Sequence, residues 1–106
     1  MTVDGLCNAL SFEVVSQEED REVNGVFCCD LLSVVMARAP ENSVWVTVIG
    51  NVNTIAVASL TDVACIILAE GFFFDDAAIS AAKGKVTLLR SGEPVYETAV
   101  SVGKLI

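Results

Sequence analysis

Residues 44–60 read Val-Trp-Val-Thr-Val-Ile-Gly-Asn-Val-Asn-Thr-Ile-Ala-Val-Ala-Ser-Leu, two apolar runs joined by a Gly-Asn turn. Residues 43–49 are nearly all apolar and dense in β-branched and aromatic side chains, which is typical of a central strand covered on both faces. After the Gly50-Asn51 turn, Asn53 or Thr54 can cap a short helix, although so short an apolar run also fits a strand. We therefore predict a strand–turn–helix unit at the centre of the domain.

The same stretch must be tested as a membrane span, because no charged residue occurs over residues 42–61. Twenty such positions match the length of a transmembrane helix. Gly50, Asn51 and Asn53 interrupt the middle of the stretch with turn residues that are costly in hydrocarbon. The first residues also lack the basic and apolar regions of a signal peptide. We expect a cytoplasmic protein with no membrane contact.

Upstream of this unit the sequence predicts two strands and two helices. A short amphipathic helix fits residues 3–10, and a short strand fits residues 12–15. The β-favouring residues 26–28 lead to Asp30, which we predict to cap a helix that stops at Pro40.

Downstream, strands are predicted over residues 63–68 and 86–89. Between them lies a helix with Asp75 as its N-cap and Gly84 as its stop. A last helix opens at Pro94 and reaches about residue 103. Strands that alternate with helices imply right-handed crossovers and a sheet that is at least partly parallel, so the predicted fold class is α/β.

The charge balance limits the partners. Six basic and 14 acidic residues give a net charge of −8. Nucleic acid and anionic lipid are both bound largely through Lys and Arg, so we expect neither as a partner. Solubility is the simplest role of the charge, with an acidic recognition surface as the alternative. A hydrophobic fraction of 54% exceeds what one small domain readily hides, which favours an interface.

The inventory of chemical groups predicts no metal site, no cofactor and no enzyme. The chain has no histidine, and its cysteines lack metal-ligand spacing, so we interpret them as buried free thiols. Acid–base catalysis by Asp62 or Glu70 is the only enzymatic alternative. The cysteines are Cys7, Cys28, Cys29 and Cys65.

Candidate ligand residues lie in the loops that follow the predicted strands, where open α/β sheets bind their ligands. A Gly-Asn turn that leads into a helix presents backbone N–H groups suited to a phosphate or carboxylate. That turn has no Lys or Arg and no phosphate-loop pattern, so an ordinary connection is the alternative. The candidate ligand residues are Gly50, Asn51, Asn53, Glu70 and Gly71.

Three consecutive aromatic residues, Phe72, Phe73 and Phe74, occupy one of these loops. Three neighbouring rings cannot all point into one core, so we expect at least one to be exposed. If Phe74 packs inside, Phe72 and Phe73 are free to form an interface, for which aromatic side chains are favoured. Local core filling is the alternative.

From residue 21 to residue 105 the chain resembles the DRTGG domain family. The resemblance rests on Gly-Val-Phe-Cys-Cys-Asp-Leu-Leu-Ser-Val-Val-Met-Ala over residues 25–37, Trp-Val-Thr-Val over 45–48, Ile-Ala-Val-Ala-Ser-Leu over 55–60 and Tyr-Glu-Thr-Ala over 96–99. It implies a single domain over residues 1–106 with a three-layer α/β/α fold and a mixed, partly parallel sheet of about five strands. The N-terminal domain of HPr kinase/phosphorylase has such a fold.

In that family the domain is a regulatory accessory, attached to phosphotransacetylases or CBS-domain proteins. Small stand-alone members accompany iron-only hydrogenase and signalling-kinase genes of anaerobic bacteria. The family's Gly-Asp-Arg and Thr-Gly-Gly turns are replaced here by Gly50-Asn51-Val52 and Ala69-Glu70-Gly71, so the charged pair is absent. We therefore expect a non-enzymatic regulatory or scaffolding domain that acts through self-association as a homodimer and through protein contacts. The alternative is a small-molecule sensor that binds a nucleotide or other anion at these turns.

Overall fold

Five strands form one mixed sheet in the computed structural model, which describes residues 1–106. The sheet order is β1-β5-β4-β3-β2; the last four strands in sequence run parallel, and β1 is antiparallel to β5. This confirms the predicted α/β class and mixed sheet. The strands are β1 (Glu13–Ser16), β2 (Val26–Cys28), β3 (Val44–Thr47), β4 (Cys65–Leu68) and β5 (Thr87–Arg90).

Five helices cover the two faces of the sheet. Since α2, α3 and α4 each connect neighbouring parallel strands, right-handed crossovers place all three on one face. Helices α1 and α5 pack on the other face, which completes three layers. The helices are α1 (Val3–Leu10), α2 (Leu32–Arg38), α3 (Val52–Thr61), α4 (Asp76–Ala82) and α5 (Val95–Gly103).

The hydrophobic core is divided by the sheet, because successive side chains of a strand point to opposite faces. Trp45, Ile66 and Leu88 lie in register and pack under α2, α3 and α4. Val46 and Ile67 pack under α1 and α5. All four residues of β3 and of β4 are buried, as predicted for a central strand covered on both faces.

Two predicted helix caps are wrong. Asn51, not Asn53 or Thr54, caps α3, so the helix begins earlier than predicted. Asp30 does not cap α2, because the helix begins two residues after it, and Leu31, which directly precedes the helix, makes no side-chain cap bond. The Asp30 carboxylate instead accepts hydrogen bonds at the end of β3, from the Thr47 hydroxyl at 2.7 Å and the Val48 N–H at 3.1 Å.

Other local predictions are confirmed. Helix α1 has the predicted bounds, and the Asp75 carboxylate caps α4 by accepting from the Ala78 N–H at 2.8 Å. The expectation of buried thiols is right for Cys65 and wrong for Cys28, which is exposed. None of the five helices combines the length and apolar character that a membrane crossing requires.

Candidate functional site

The structure brings two predicted loops together at the carboxyl edge, which we define as the end of the sheet where β2–β5 finish. Gly50 packs directly on the chain after β4. A Cβ atom at Gly50 would lie 2.9 Å from the Phe73 carbonyl oxygen and 2.9 Å from the Phe74 Cα. The Gly50 carbonyl also accepts a hydrogen bond from the Asp75 N–H at 2.9 Å. Glycine is therefore required here by close backbone contact, and the contact leaves no space for a ligand between the two loops.

Four backbone N–H groups of the two candidate ligand turns, residues 50–54 and 70–71, already have partners within the chain. The Asn51 carbonyl oxygen Oδ1 accepts from the N–H groups of Asn53 at 3.0 Å and Thr54 at 3.3 Å. The N–H of Glu70 donates to the Glu93 carbonyl at 2.8 Å, and that of Gly71 to the Ser91 carbonyl at 3.0 Å. Four donors that an anion would need are thus used to hold the turns, which favours the ordinary-connection interpretation.

The aromatic loop, residues 72–74, divides its rings between core and solvent. Phe74 is buried in the core under α2–α4, whereas Phe72 is 52% exposed and Phe73 is 76% exposed. The expectation that at least one ring is exposed is therefore confirmed. The two exposed rings stand at the carboxyl edge, directly before the N-terminus of α4.

Arg90, at the end of β5, holds the aromatic loop in place. Its Nε donates to the Phe72 carbonyl at 2.8 Å, and its Nη2 donates to the Gly71 carbonyl at 2.9 Å. The guanidinium carbon lies 3.8 Å from the centre of the Phe73 ring, and Nη1 pairs with Glu13 of β1. The Arg90 side chain is only 15% exposed. The loop backbone is thus fixed while two of its rings remain exposed.

Sequence reasoning assigned no role to Arg90. It is the only basic residue at the carboxyl ends of β2–β5 or in the loops that lead from them to the next helix, and that isolation is the signal that would have singled it out. Its main partners come from β1 and from the loop after β4. The pairing with Glu13 joins residues 77 positions apart, which no local pattern indicates.

A groove of about 780 Å³ adjoins the aromatic loop through Arg90 and runs along α5. The polar groups at the floor of the groove hydrogen-bond to one another. The Ser91 and Thr98 hydroxyls lie 2.8 Å apart, and the Thr98 hydroxyl also donates to the Glu93 carbonyl. No buried side-chain polar atom of the protein lacks a hydrogen-bond partner. The groove therefore offers a recognition surface without free buried donors. Its walls include the partly buried Phe12 and the exposed Glu13, Glu93, Tyr96, Glu97 and Lys104.

Negative charge accumulates at the carboxyl edge. Seven acidic residues lie at this edge, in its loops, at helix starts and at the start of β1, against Arg90 at the end of β5 and Lys104 on the groove wall. Such a field repels phosphate and carboxylate ligands and attracts cations. The acidic residues are Glu13, Asp30, Glu70, Asp75, Asp76, Glu93 and Glu97.

The reactive groups of the chain are not arranged for nucleophilic chemistry. Although Cys28 is an exposed residue, partial desolvation of its thiol raises the pKa, and the Asp30 carboxylate raises it further. Burial also raises the pKa of Cys7 and Cys65. Since the thiolate is the nucleophile, raised pKa values make these cysteines less reactive at neutral pH. No group of three or more acidic or cysteine side chains is close enough to hold a metal ion.

No protein-family model matches the chain, and no curated protein is significantly similar to it. The resemblance to the DRTGG family therefore stays a prediction. Function has to be argued from the residues of this chain.

Proposed function

We propose that this protein is a non-enzymatic, cytoplasmic regulatory or scaffolding domain that acts through self-association, as a homodimer, and through protein contacts. The aromatic loop is the proposed contact surface. One observation carries the proposal: Phe72 and Phe73 are exposed, yet Arg90 fixes the backbone on which they stand.

Exposed rings on a fixed backbone are suited to binding. Transfer of one phenylalanine side chain from water into an interface is worth about 1.5–3 kcal/mol. A loop that is already ordered loses little conformational entropy on association, so more of that free energy remains as affinity. Local core filling accounts for Phe74 but not for Phe72 and Phe73, which remain largely in solvent.

The family resemblance supports the regulatory part of the proposal. DRTGG-like domains are accessory modules, and small stand-alone members accompany hydrogenase and signalling-kinase genes of anaerobic bacteria. This chain lacks the charged turn residues of that family, and its own loop after β4 exposes Phe72 and Phe73. We accordingly propose protein contact as its mode of action, in a system of that kind.

Sedimentation velocity across the micromolar range tests self-association. The wild type should form dimers as concentration rises, and Phe73→Ser should shift the equilibrium to monomer because it removes the most exposed ring. Leu60→Ser is the matched control, since Leu60 is 72% exposed near the C-terminal end of α3, which leads into the start of β4 at the opposite end of the sheet. A wild type that stays monomeric, with Phe73→Ser indistinguishable from it, would contradict the proposed self-association.

A further inference from the structure

We propose that the carboxyl edge binds a basic segment of another protein, one in which Lys or Arg residues alternate with apolar side chains. The apolar side chains would contact the aromatic loop, and the basic side chains would face the carboxylates around it. This inference rests on the proposed function, because it uses the same loop, and it names the chemistry of the partner.

The apolar part of the surface has two anchors. Phe73 has Arg90 on one ring face and is otherwise open to solvent. Tyr96, 74% exposed, stands on the wall of the adjoining groove. Arg90 contacts Phe73 and also lines the groove, so the loop and the groove form one continuous surface. A segment of extended or helical chain can therefore contact both anchors.

The charge of the surface selects a basic occupant. Glu70, Asp76, Glu93 and Glu97 form no ion pair, and their carboxylates accept no hydrogen bond from another side chain. All four are exposed. Complementary charge across an interface speeds association and excludes wrong partners. A partner rich in Lys and Arg satisfies these carboxylates, whereas an acidic partner is repelled.

The same charges oppose a second copy on this surface. Two carboxyl edges brought together would place like charges opposite one another, which is unfavourable. Self-association through Phe73 should therefore strengthen as salt screens the repulsion, whereas binding of a basic segment should weaken. The opposite salt dependences separate the two contacts experimentally.

Fluorescence anisotropy with two labelled peptides tests the inference. One peptide alternates lysine and leucine; the other replaces every lysine by glutamate. We expect only the lysine peptide to bind, with an affinity that falls as salt rises. Glu93→Gln and Glu97→Gln should each weaken binding about two- to fivefold, and Phe73→Ser about tenfold.

Glu19→Gln and Glu41→Gln are the matched controls. Both residues are exposed carboxylates at the opposite end of the molecule, so each control variant removes one negative charge, as Glu93→Gln and Glu97→Gln do. They should leave peptide affinity unchanged. Equal binding of the two peptides, equal loss in the control variants, or full binding by Phe73→Ser would each overturn the inference. Dimerisation that depends on Phe73 would still support the proposed function in that case.

Discussion

Two arginines hold the loops at opposite ends of the sheet in similar ways, but only the loop held by Arg90 exposes aromatic rings. At the amino edge, where β2–β5 begin, Arg21 donates to the Asp62 carboxylate at 2.9 Å and to the carbonyls of Val63 at 3.0 Å and Asp62 at 3.1 Å, and it also bonds Asn42. At the carboxyl edge, Arg90 binds two carbonyls, one carboxylate and one aromatic ring.

The difference lies in what each arginine holds. Arg21 ties together Asn42 and Asp62, whose φ values of 64° and 58° are unusual for residues other than glycine. Its loops expose no aromatic ring. Arg90 orders a loop that exposes two rings. The same guanidinium chemistry therefore stabilises turns at one edge and, at the other, also fixes the geometry of an accessible apolar surface.

The largest effect is expected from Gly50→Ala, which tests how the turns of the carboxyl edge are held. The new methyl group would meet backbone atoms of Phe73 and Phe74 at 2.9 Å, and backbone cannot move aside as a flexible side chain does. We expect a loss of about 3 kcal/mol in the free energy of unfolding, measured by urea denaturation.

Gly25→Ala is the control for that experiment. A Cβ atom at Gly25 would meet nothing within 4 Å, so its free energy of unfolding should stay within about 0.5 kcal/mol of the wild type. Equal stability of the Gly50 and Gly25 variants would show that the two loops of the carboxyl edge are not in close contact.

A smaller effect is expected from Arg21→Met and Arg90→Met, which compare the two edges directly. Each change keeps a long apolar side chain but removes several hydrogen bonds, so each should lower the free energy of unfolding by about 2 kcal/mol. Only Arg90→Met should also weaken contacts made by Phe73, because only that variant releases the aromatic loop. Equal effects of both variants on association would contradict the assignment of the surface to the carboxyl edge.

The parts of the fold that follow from local residue patterns were predictable. The apolar runs of β3 and β4 are diagnostic of buried strands, and Asp75 before α4 is diagnostic of a cap. Where several polar residues compete, as at the start of α3, local preference does not decide which one caps. Asn51 does so because its side chain reaches two N–H groups.

The geometry of the candidate site was largely unpredictable for a different reason. The backbone N–H groups of the candidate ligand turns are occupied partly by contacts between loops far apart in sequence, such as that of Glu70 with Glu93. The groove and the position of Arg90 depend on β1 pairing antiparallel to β5. Only the exposure of part of the Phe72–Phe74 run was predictable, because it follows from steric crowding within the loop itself.

The smallest effect concerns Cys28, the last residue of β2, because the pKa of its thiol depends on the negative charge at the carboxyl edge. Partial desolvation, and then the Asp30 carboxylate, raise the pKa of its thiol. A raised pKa leaves less thiolate below that pKa, so alkylation by iodoacetamide at pH 8 should be slower than for a free thiol. Asp30→Asn keeps an oxygen for the Thr47 hydroxyl but removes the charge, so it should lower the pKa and speed alkylation; Asp62→Asn, at the amino edge, should not. An equal increase in alkylation rate in both variants would show that the thiol pKa of Cys28 depends on the net charge of the protein rather than on the carboxylate beside it.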